Sequence, residues 1–241
     1  MSDKIVRKQK IISRNINIQY VRPVSRVAIL VDGGFYRKRA SHFYGEKDPQ
    51  QSADALMNYC YSHLRENDYI KSYLYRIFYY DCKPLDENIF HPFLQQAKSM
   101  KKDPRYIWMN SFIQKLSSKR KVALRLGKRA NPYYNLDAET VKKLCSKKID
   151  FSDLKEDDFK LISPQKGVDM MIAVDISSMA FKKQVDKMIL ISGDSDFVPA
   201  AKLARREGID FVLDPMRIQP NSDLLEHIDG LKTYVPKPKA N

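Results

Sequence analysis

The sequence has few of the residues that build disulfide frameworks, zinc sites or membrane spans. It holds three cysteines and four histidines among 241 residues. Cys60, Cys82 and Cys145 form no close pair, which argues against a disulfide framework and a zinc site. The histidines lack ligand spacing, so we interpret them as surface or packing residues. No apolar run reaches the length of a signal peptide or a transmembrane helix. We therefore expect a reduced, cytoplasmic setting and no membrane span.

Positive charge is what the sequence has in excess. Lysine and arginine number 43 against 29 acidic residues, which gives a formal net charge of +14. A basic surface gains free energy by displacing counterions from phosphate. Nucleic acid is the first candidate partner and an anionic membrane surface is the second; our prediction is RNA, with no membrane. The oligomeric state stays open, a homodimer included.

Apolar runs alternate with helical patterns along the chain. Strands are predicted over 26–31, 72–80, 121–126, 188–191 and 208–213. Helices are predicted over 35–44, 53–66, 86–100, 103–116, 138–148, 166–180, 200–207 and 222–228. The alternation predicts an α/β fold whose central, mainly parallel sheet has about five strands joined by right-handed crossovers.

The same pattern divides the chain into segments. Residues 1–25 are predicted to form a basic lead-in before the first predicted strand, and residues 26–217 to form the main domain. Within the domain the pattern weakens over about 128–165, which we interpret as an insertion beside the binding crevice that contacts substrate. Residues 218–241 are predicted to be a short helix followed by a tail.

Acidic residues follow two of the predicted strands and begin one helix. Asp194 and Asp196 follow the strand 188–191 after Ser192-Gly193, and Asp32 ends the first strand before two glycines. In an open α/β sheet, ligands bind beyond the carboxyl ends of the strands. Asp169 stands at the start of a helix. Carboxylates two residues apart, as Asp194 and Asp196 are, repel one another, and a hard divalent cation can hold both ionised. A set of oxygen ligands with no His or Cys nearby predicts Mg²⁺ or Mn²⁺ rather than zinc.

Simpler interpretations stay open for individual residues. Asp196 alone is equally well explained as a helix cap, and Asp194 as a turn residue. Asp175 falls on or beside the apolar face of its helix, so a structural anchor competes with metal contact. Asp81 also ends a strand, but Cys82-Lys83-Pro84 follows, and a local turn is the expected role.

A basic protein with an acidic pocket predicts metal-assisted cleavage of phosphodiester bonds, in which a metal-activated water attacks phosphorus. We expect Asp32 and Asp194 to bind the metal directly, and Asp169 and Asp196 to complete the shell or orient water. Candidate phosphate-binding residues are Arg37, Lys38, Arg39, Lys128, Arg129, Lys166 and Arg205.

Three blocks of sequence resemble a known family. VAILVDGGFYRKRA, QKGVDMMIAVDISSMA and MILISGDSDFVPAAKLARREGIDFVLDP are similar, in order and spacing, to the motif blocks of the LabA-like NYN family of PIN-like nucleases. The resemblance implies a PIN-like (Rossmannoid) three-layer fold and a metal-dependent RNase site whose acidic residues match Asp32, Asp169, Asp194 and Asp196. Asp175 matches a further recurrent acidic position of the family. Phe35 departs from the pattern, because many NYN proteins carry Asn there.

Two other functions compete with a metal-dependent ribonuclease that is expected to be an endonuclease. The Phe35 departure favours a catalytically weak RNA-binding regulatory module on the same fold. A phosphatase-like hydrolase is disfavoured, because that chemistry needs a second Asp two residues after Asp32, where Gly34 stands.

Overall fold

We describe residues 23–65 and 71–236 from a computed structural model of the chain. Most of the predicted basic lead-in, the predicted helix end at Glu66 and the end of the predicted tail lie outside these residues. None of the helices in the described ranges combines the length and the apolar character that crossing a bilayer requires.

A mixed sheet forms the centre of the described part of the chain. It has seven strands in the order β11-β10-β9-β1-β2-β5-β8, and every neighbouring pair is parallel except β5 and β8. The predicted α/β fold with a mainly parallel sheet is confirmed. The strands are β1 (Val24–Asp32), β2 (Lys71–Cys82), β3 (Asn88–His91), β4 (Gln96–Ser99), β5 (Val122–Arg129), β6 (Tyr133–Leu136), β7 (Phe159–Ile162), β8 (Gln165–Lys166), β9 (Lys187–Ile191), β10 (Asp210–Asp214) and β11 (Gly230–Leu231).

Helices cover both faces of this sheet. They are α1 (Gly33–Tyr44), α2 (Pro49–Ser62), α3 (Pro104–Ser117), α4 (Ala138–Cys145), α5 (Val168–Phe181), α6 (Val198–Arg206) and α7 (Ser222–Leu225). Side chains alternate along β1: Leu30 packs in one buried cluster with Ile176 of α5 and Ala201 of α6. Ile29 packs in a second cluster with Phe112 of α3. Both faces of β1 are therefore buried, as its continuous apolar run predicts.

The helix predicted over 86–100 is wrong. β3 and β4 form an antiparallel hairpin in which Asn88 pairs with Ser99 and His91 with Gln96. Pro92 explains the difference, because proline inside a helix removes a hydrogen-bond donor and clashes with the preceding turn. Ile89 and His91 are buried while Phe90 between them is exposed, which is the alternation of a strand.

The sheet has more strands than predicted, because its two edge strands are very short. β8 and β11 have two residues each, too few for a recognisable pattern. β11 lies in the segment predicted as helix and tail, and it pairs in parallel with β10. Within the predicted insertion, β6 and β7 form a separate antiparallel pair, and α4 and two 3-10 turns lie between these strands along the chain.

Candidate active site

The carboxyl ends of β1 and β9 lie side by side, because Val31 pairs with Ile191. Asp32 follows Val31 and caps α1: its Oδ1 accepts a hydrogen bond from the Phe35 amide at 3.0 Å. Its Oδ2 accepts a longer bond of 3.3 Å from the hydroxyl of Ser192, the residue after Ile191. This pairing of strands brings the first acidic segment to the third.

Asp194 caps the 3-10 turn that leads into α6. Its Oδ1 accepts from the backbone amide of Asp196 at 3.0 Å, and its own amide donates to the Ser192 hydroxyl at 3.3 Å. The simpler interpretation assigned the cap to Asp196, but Asp194 provides it. The side chains of Asp194 and Asp196 are exposed, so both carboxylates face solvent beside Asp32.

Asp169 completes the group from the first turn of α5. The chain enters α5 through Gly167, whose φ of 84° is in the left-handed region that glycine tolerates. The pKa of Asp169 is raised by partial burial and then by the charges of Asp32, Asp194 and Asp196. Three separate segments therefore place their carboxylates within electrostatic reach of one another; we call these four residues the acidic site.

Within the described ranges, the carboxylates of the acidic site have no ion-pair partner. Burial raises the pKa of Asp32, and the charge of Asp194 adds to that, while hydrogen bonds from Phe35 and Ser192 lower it. No lysine or arginine within residues 23–65 and 71–236 forms an ion pair with any of the four carboxylates. Four such groups without a cation repel one another, which favours an external cation.

The donor set fits a hard divalent cation without forming a finished cage. Among the described residues, no three acidic, His or Cys side chains already stand in the arrangement of a metal site. Mg²⁺ is usually held by one or two carboxylates, with water and substrate phosphate as its other ligands. Asp32 and Asp194 lie at the carboxyl ends of the neighbouring strands β1 and β9. Two carboxylates in this position are sufficient for such a Mg²⁺ site.

Glycines let the start of α1 approach the sheet. A Cβ atom on Gly33 would lie 2.4 Å from Cζ of Tyr79, so only glycine fits there. A Cβ atom on Gly34 would lie 3.6 Å from Oδ1 of Asp32 and 3.9 Å from Oε1 of Gln165. Gln165 of β8 is thus a neighbour of the acidic site that the sequence patterns did not single out, although it begins the block QKGVD.

The local turn expected at Asp81 is only part of its role. Its side chain is fully buried and forms an ion pair with Arg37 of α1. Asp81 also accepts hydrogen bonds from the hydroxyl of Tyr79 at 2.9 Å and from the amide of Cys82 at 2.7 Å. The pair fixes α1 to the end of β2, next to the acidic site. Sequence spacing gave no signal, because 44 residues separate the partners.

Asp175 is engaged away from the other four carboxylates. Its Oδ2 accepts hydrogen bonds from the Tyr80 hydroxyl at 2.9 Å and from Nε of Arg125 at 2.9 Å. Arg125 and Asp175 form an ion pair between β5 and α5. This geometry favours the structural anchor among the two roles left open for Asp175.

The candidate phosphate-binding residues fall into two groups. Lys38, Lys128 and Lys166 are exposed, and Arg129 is half-buried with only the carbonyl oxygens of Lys83 and Ser163 as hydrogen-bond partners. The others have structural partners. Arg37 pairs with Asp81, Arg39 donates twice to the carbonyl of Met216, and Arg205 pairs with Asp229 at 2.8 Å.

Phe35 stands three residues after Asp32, at the position where many members of the family that the sequence resembles carry Asn. A Cβ atom on Gly193 would lie 2.7 Å from Cε2 of Phe35, so the ring lies directly against the backbone between Ser192 and Asp194. The ring therefore packs the first acidic segment against the third, and offers no polar atom to substrate or water.

Comparison of the chain with known proteins shows which family it belongs to. The sequence pattern of the NYN domain matches residues 87–221, which include Asp169, Asp194 and Asp196. No curated protein matches the chain. Among solved structures, a protein of unknown function from Vibrio parahaemolyticus is similar at 17% identity and a TM-score of 0.42, over 86% of this chain and 91% of that one. Because the NYN pattern matches more than half of its residues, this chain belongs to the NYN domain family, whose fold is PIN-like and which is part of the PIN-like nuclease superfamily.

Proposed function

We propose that this protein is a LabA-like NYN ribonuclease that depends on Mg²⁺ or Mn²⁺ and cuts RNA internally. The observation that carries the proposal is the acidic site: four mutually repelling carboxylates without a cationic partner among the described residues. A protein of net charge +14 that keeps such a site at the carboxyl edge of its sheet is suited to a polyanion that arrives with metal.

The four carboxylates differ in the atoms they have free. Asp32 and Asp194 each use Oδ1 to accept a backbone hydrogen bond, which fixes the orientation of the side chain. Their second oxygens would bind the cation. The side chains of Asp169 and Asp196 accept no hydrogen bond from another described residue, and they would orient water or complete the metal shell. When bound, a divalent cation lowers the pKa of water and neutralises charge on the leaving oxygen.

Lysines beside the site would hold the phosphates of the strand. Lys128 of β5 and Lys166 of β8 are exposed and stand directly opposite each other across an antiparallel pair. Like charges in that position destabilise a sheet, unless an anion bridges them. Lys38 adds an exposed charge on α1. We propose that these three residues, with Arg129, contribute most of the salt-sensitive affinity for RNA.

We also propose the division of the chain given by the sequence: residues 26–217 as the nuclease domain, 128–165 as a substrate-contacting insertion, and 218–241 as a C-terminal extension. A reducing, cytoplasmic setting is proposed on cysteine usage. Cys60, Cys82 and Cys145 are all free, and the first two are buried.

The decisive experiment is a pair of matched substitutions, each Asp to Asn, assayed on labelled single-stranded RNA with Mn²⁺ or Mg²⁺. Asp194→Asn is expected to slow cleavage by about 100-fold or more, because it removes a metal ligand. RNA binding in a gel-shift assay should stay equal or become tighter, since one repelling charge is lost. Asp223→Asn, an exposed carboxylate on α7, should behave as the wild type. Unchanged cleavage by the Asp194 variant would contradict the proposal.

An RNA-binding module without strong catalysis is the second candidate, and the packing of Phe35 on Gly193 favours it. Titrating Mn²⁺ against labelled RNA separates the two functions. Salt-sensitive binding without any metal-dependent product would support the binding module, whereas product that appears with Mn²⁺ and disappears with chelator would support the nuclease.

A further inference from the structure

A cavity of about 720 Å³ lies between α1, α2 and α3 and ends at Arg129. Its volume is in the range of small-molecule sites. A smaller cavity of about 230 Å³ shares Arg105, Met109 and Arg129 with it, so the two cavities are adjacent, and we call them together the recess. Neither cavity includes a residue of the acidic site.

One wall of the larger cavity is aromatic. Trp108 stacks on Phe112 with ring centroids 5.2 Å apart and planes inclined by 15°, and its indole N–H donates to the carbonyl of Lys47 at 3.0 Å. These contacts fix the indole in place. Tyr36 and Tyr44 of α1 also line the cavity. Tyr36 is almost fully buried, and its hydroxyl has no hydrogen-bond partner among the described residues.

The other side of the cavity carries more positive than negative charge. Three guanidinium groups line it, and two have a carboxylate partner: Arg37 pairs with Asp81, and Arg105 with Asp103. Arg129 has no carboxylate partner within the described residues, only two carbonyl oxygens at 3.3 Å. Its pKa is lowered, first by burial and further by the charge of Arg37. A bound anion would relieve both effects.

The cationic end of the cavity is also the end nearest to the acidic site. The pKa of Cys82 is raised by burial, and it responds to the charges of Arg129, Arg37 and Asp169, so one thiol lies within electrostatic reach of all three. Arg129 also pairs with Gln165 of β8, whose side chain lies near Gly34 and Asp32, so a nucleotide chain bound at the acidic site can extend along β8 towards Arg129.

We propose that this recess is a nucleotide-binding subsite, in which a base stacks on the aromatic wall around Trp108 and its phosphate binds Arg129. Stacking on fixed aromatic rings and charge-assisted bonds to phosphate are the interactions that hold single-stranded nucleic acid. The inference rests on the proposed function, since the occupant is a nucleotide of the bound RNA, but the subsite can be tested without cleavage.

Trp108 is the only tryptophan of the chain and reports directly on the cavity. The full chain is titrated with nucleoside monophosphates, with the matching nucleosides and with inorganic phosphate, while tryptophan fluorescence is recorded. Monophosphates should quench Trp108 and bind more tightly than either nucleosides or phosphate alone. Arg129→Met should weaken monophosphate binding by about ten-fold or more, because a charge-assisted contact is lost. Arg206→Met, an exposed arginine on α6, should leave it unchanged.

The outcomes for the subsite and for the nuclease are distinguishable. Asp194→Asn should bind monophosphates as the wild type does, whether or not the wild type cleaves RNA. Monophosphate binding with no cleavage would keep the subsite and remove the nuclease. The subsite is overturned if monophosphates fail to quench Trp108, or if the wild type and the Arg129 variant bind them equally. If short RNA oligonucleotides compete with a monophosphate for the recess, the nucleotide that it binds belongs to RNA. If they do not compete, the recess binds free nucleotides, and its proposed role in RNA binding is overturned.

Discussion

Asp214 and Asp32 end parallel strands of the same sheet, with only β9 between those strands, yet their surroundings are opposite. Asp214 is fully buried and accepts hydrogen bonds from the Tyr59 hydroxyl at 2.5 Å, from Nε2 of His63 at 2.9 Å and from the Met216 amide at 2.8 Å. Asp32 accepts two longer hydrogen bonds and has two acidic neighbours, Asp169 and Asp194. A position at the carboxyl end of a strand therefore does not by itself decide the role of a carboxylate.

The difference lies in whether the protein supplies the donors. A buried carboxylate that is saturated by protein donors has nothing left to bind a ligand, and it stabilises the fold. A carboxylate that is surrounded by other carboxylates raises the free energy of the folded state, and its oxygen atoms can still bind a cation. Asp81, paired with Arg37, belongs with Asp214. Substitutions at the two kinds of site should consequently change stability in opposite directions.

Asp214→Ala should have the largest effect on stability. It removes the acceptor shared by Tyr59, His63 and the backbone at Met216, and leaves these donors buried. We expect a loss of about 3 kcal/mol in the free energy of unfolding, or a fall in Tm of about 6–12 °C. Urea unfolding at pH 7 measures it. Tyr59→Phe, which removes one donor only, is the milder control. A loss below about 1 kcal/mol in the Asp214 variant would break the comparison.

Arg37→Met should have the next largest effect. The substitution leaves the buried Asp81 carboxylate with the Tyr79 hydroxyl and the Cys82 amide as its donors. Because the Arg37 side chain is 25% exposed, we expect a loss of about 2 kcal/mol rather than the full cost of a deeply buried pair. Lys38→Met, the exposed neighbour on α1, should change stability by less than about 0.5 kcal/mol. Equal effects of the two variants in urea unfolding would show that Asp81 does not depend on Arg37.

Long apolar segments made most of the fold predictable from the sequence. Side-chain pairings between residues distant in the chain could not be predicted from it. β1 and β9 are buried on both faces, so their runs of aliphatic residues are unambiguous. The hairpin of β3 and β4 has four-residue strands, in which a period of 2 is easily confused with a helical period; Pro92 was the overlooked signal.

The acidic site was predictable to the extent that it depends on strand ends. Asp32 and Asp194 follow apolar runs, and parallel strands bring such ends to one edge. The partners of other charged residues come from chain folding alone. Asp175 meets Arg125 across 50 residues, Arg39 reaches the carbonyl of Met216 across 177, and no local spacing reports either contact.

Asp32→Asn should stabilise the protein at neutral pH. The pKa of Asp32 is raised in the folded state, so its charged form costs free energy there, and stability is lost as the pH rises from the ordinary Asp value through the folded one. Asn still accepts the Phe35 amide and carries no charge. We expect a gain of about 1 kcal/mol at pH 7 that shrinks as the pH falls towards about 4. Urea unfolding at several pH values, without divalent metal, measures it. A gain that does not depend on pH would exclude charge as its cause.

Asp169→Asn should have the smallest effect and the same sign. Its pKa is raised by partial burial and by the three other carboxylates, but its exposed side chain is screened by water. We therefore expect a gain of roughly 0.3 kcal/mol without metal. Added Mn²⁺ should stabilise the wild type, because a ligand that binds only the folded state raises its stability, and it should stabilise the variant less. Asp223→Asn, outside the acidic site, should respond to Mn²⁺ as the wild type does. If Asp169→Asn instead lowers stability in the absence of metal, the four carboxylates do not repel one another as a group, and the contrast with Asp214 would apply to Asp32 alone.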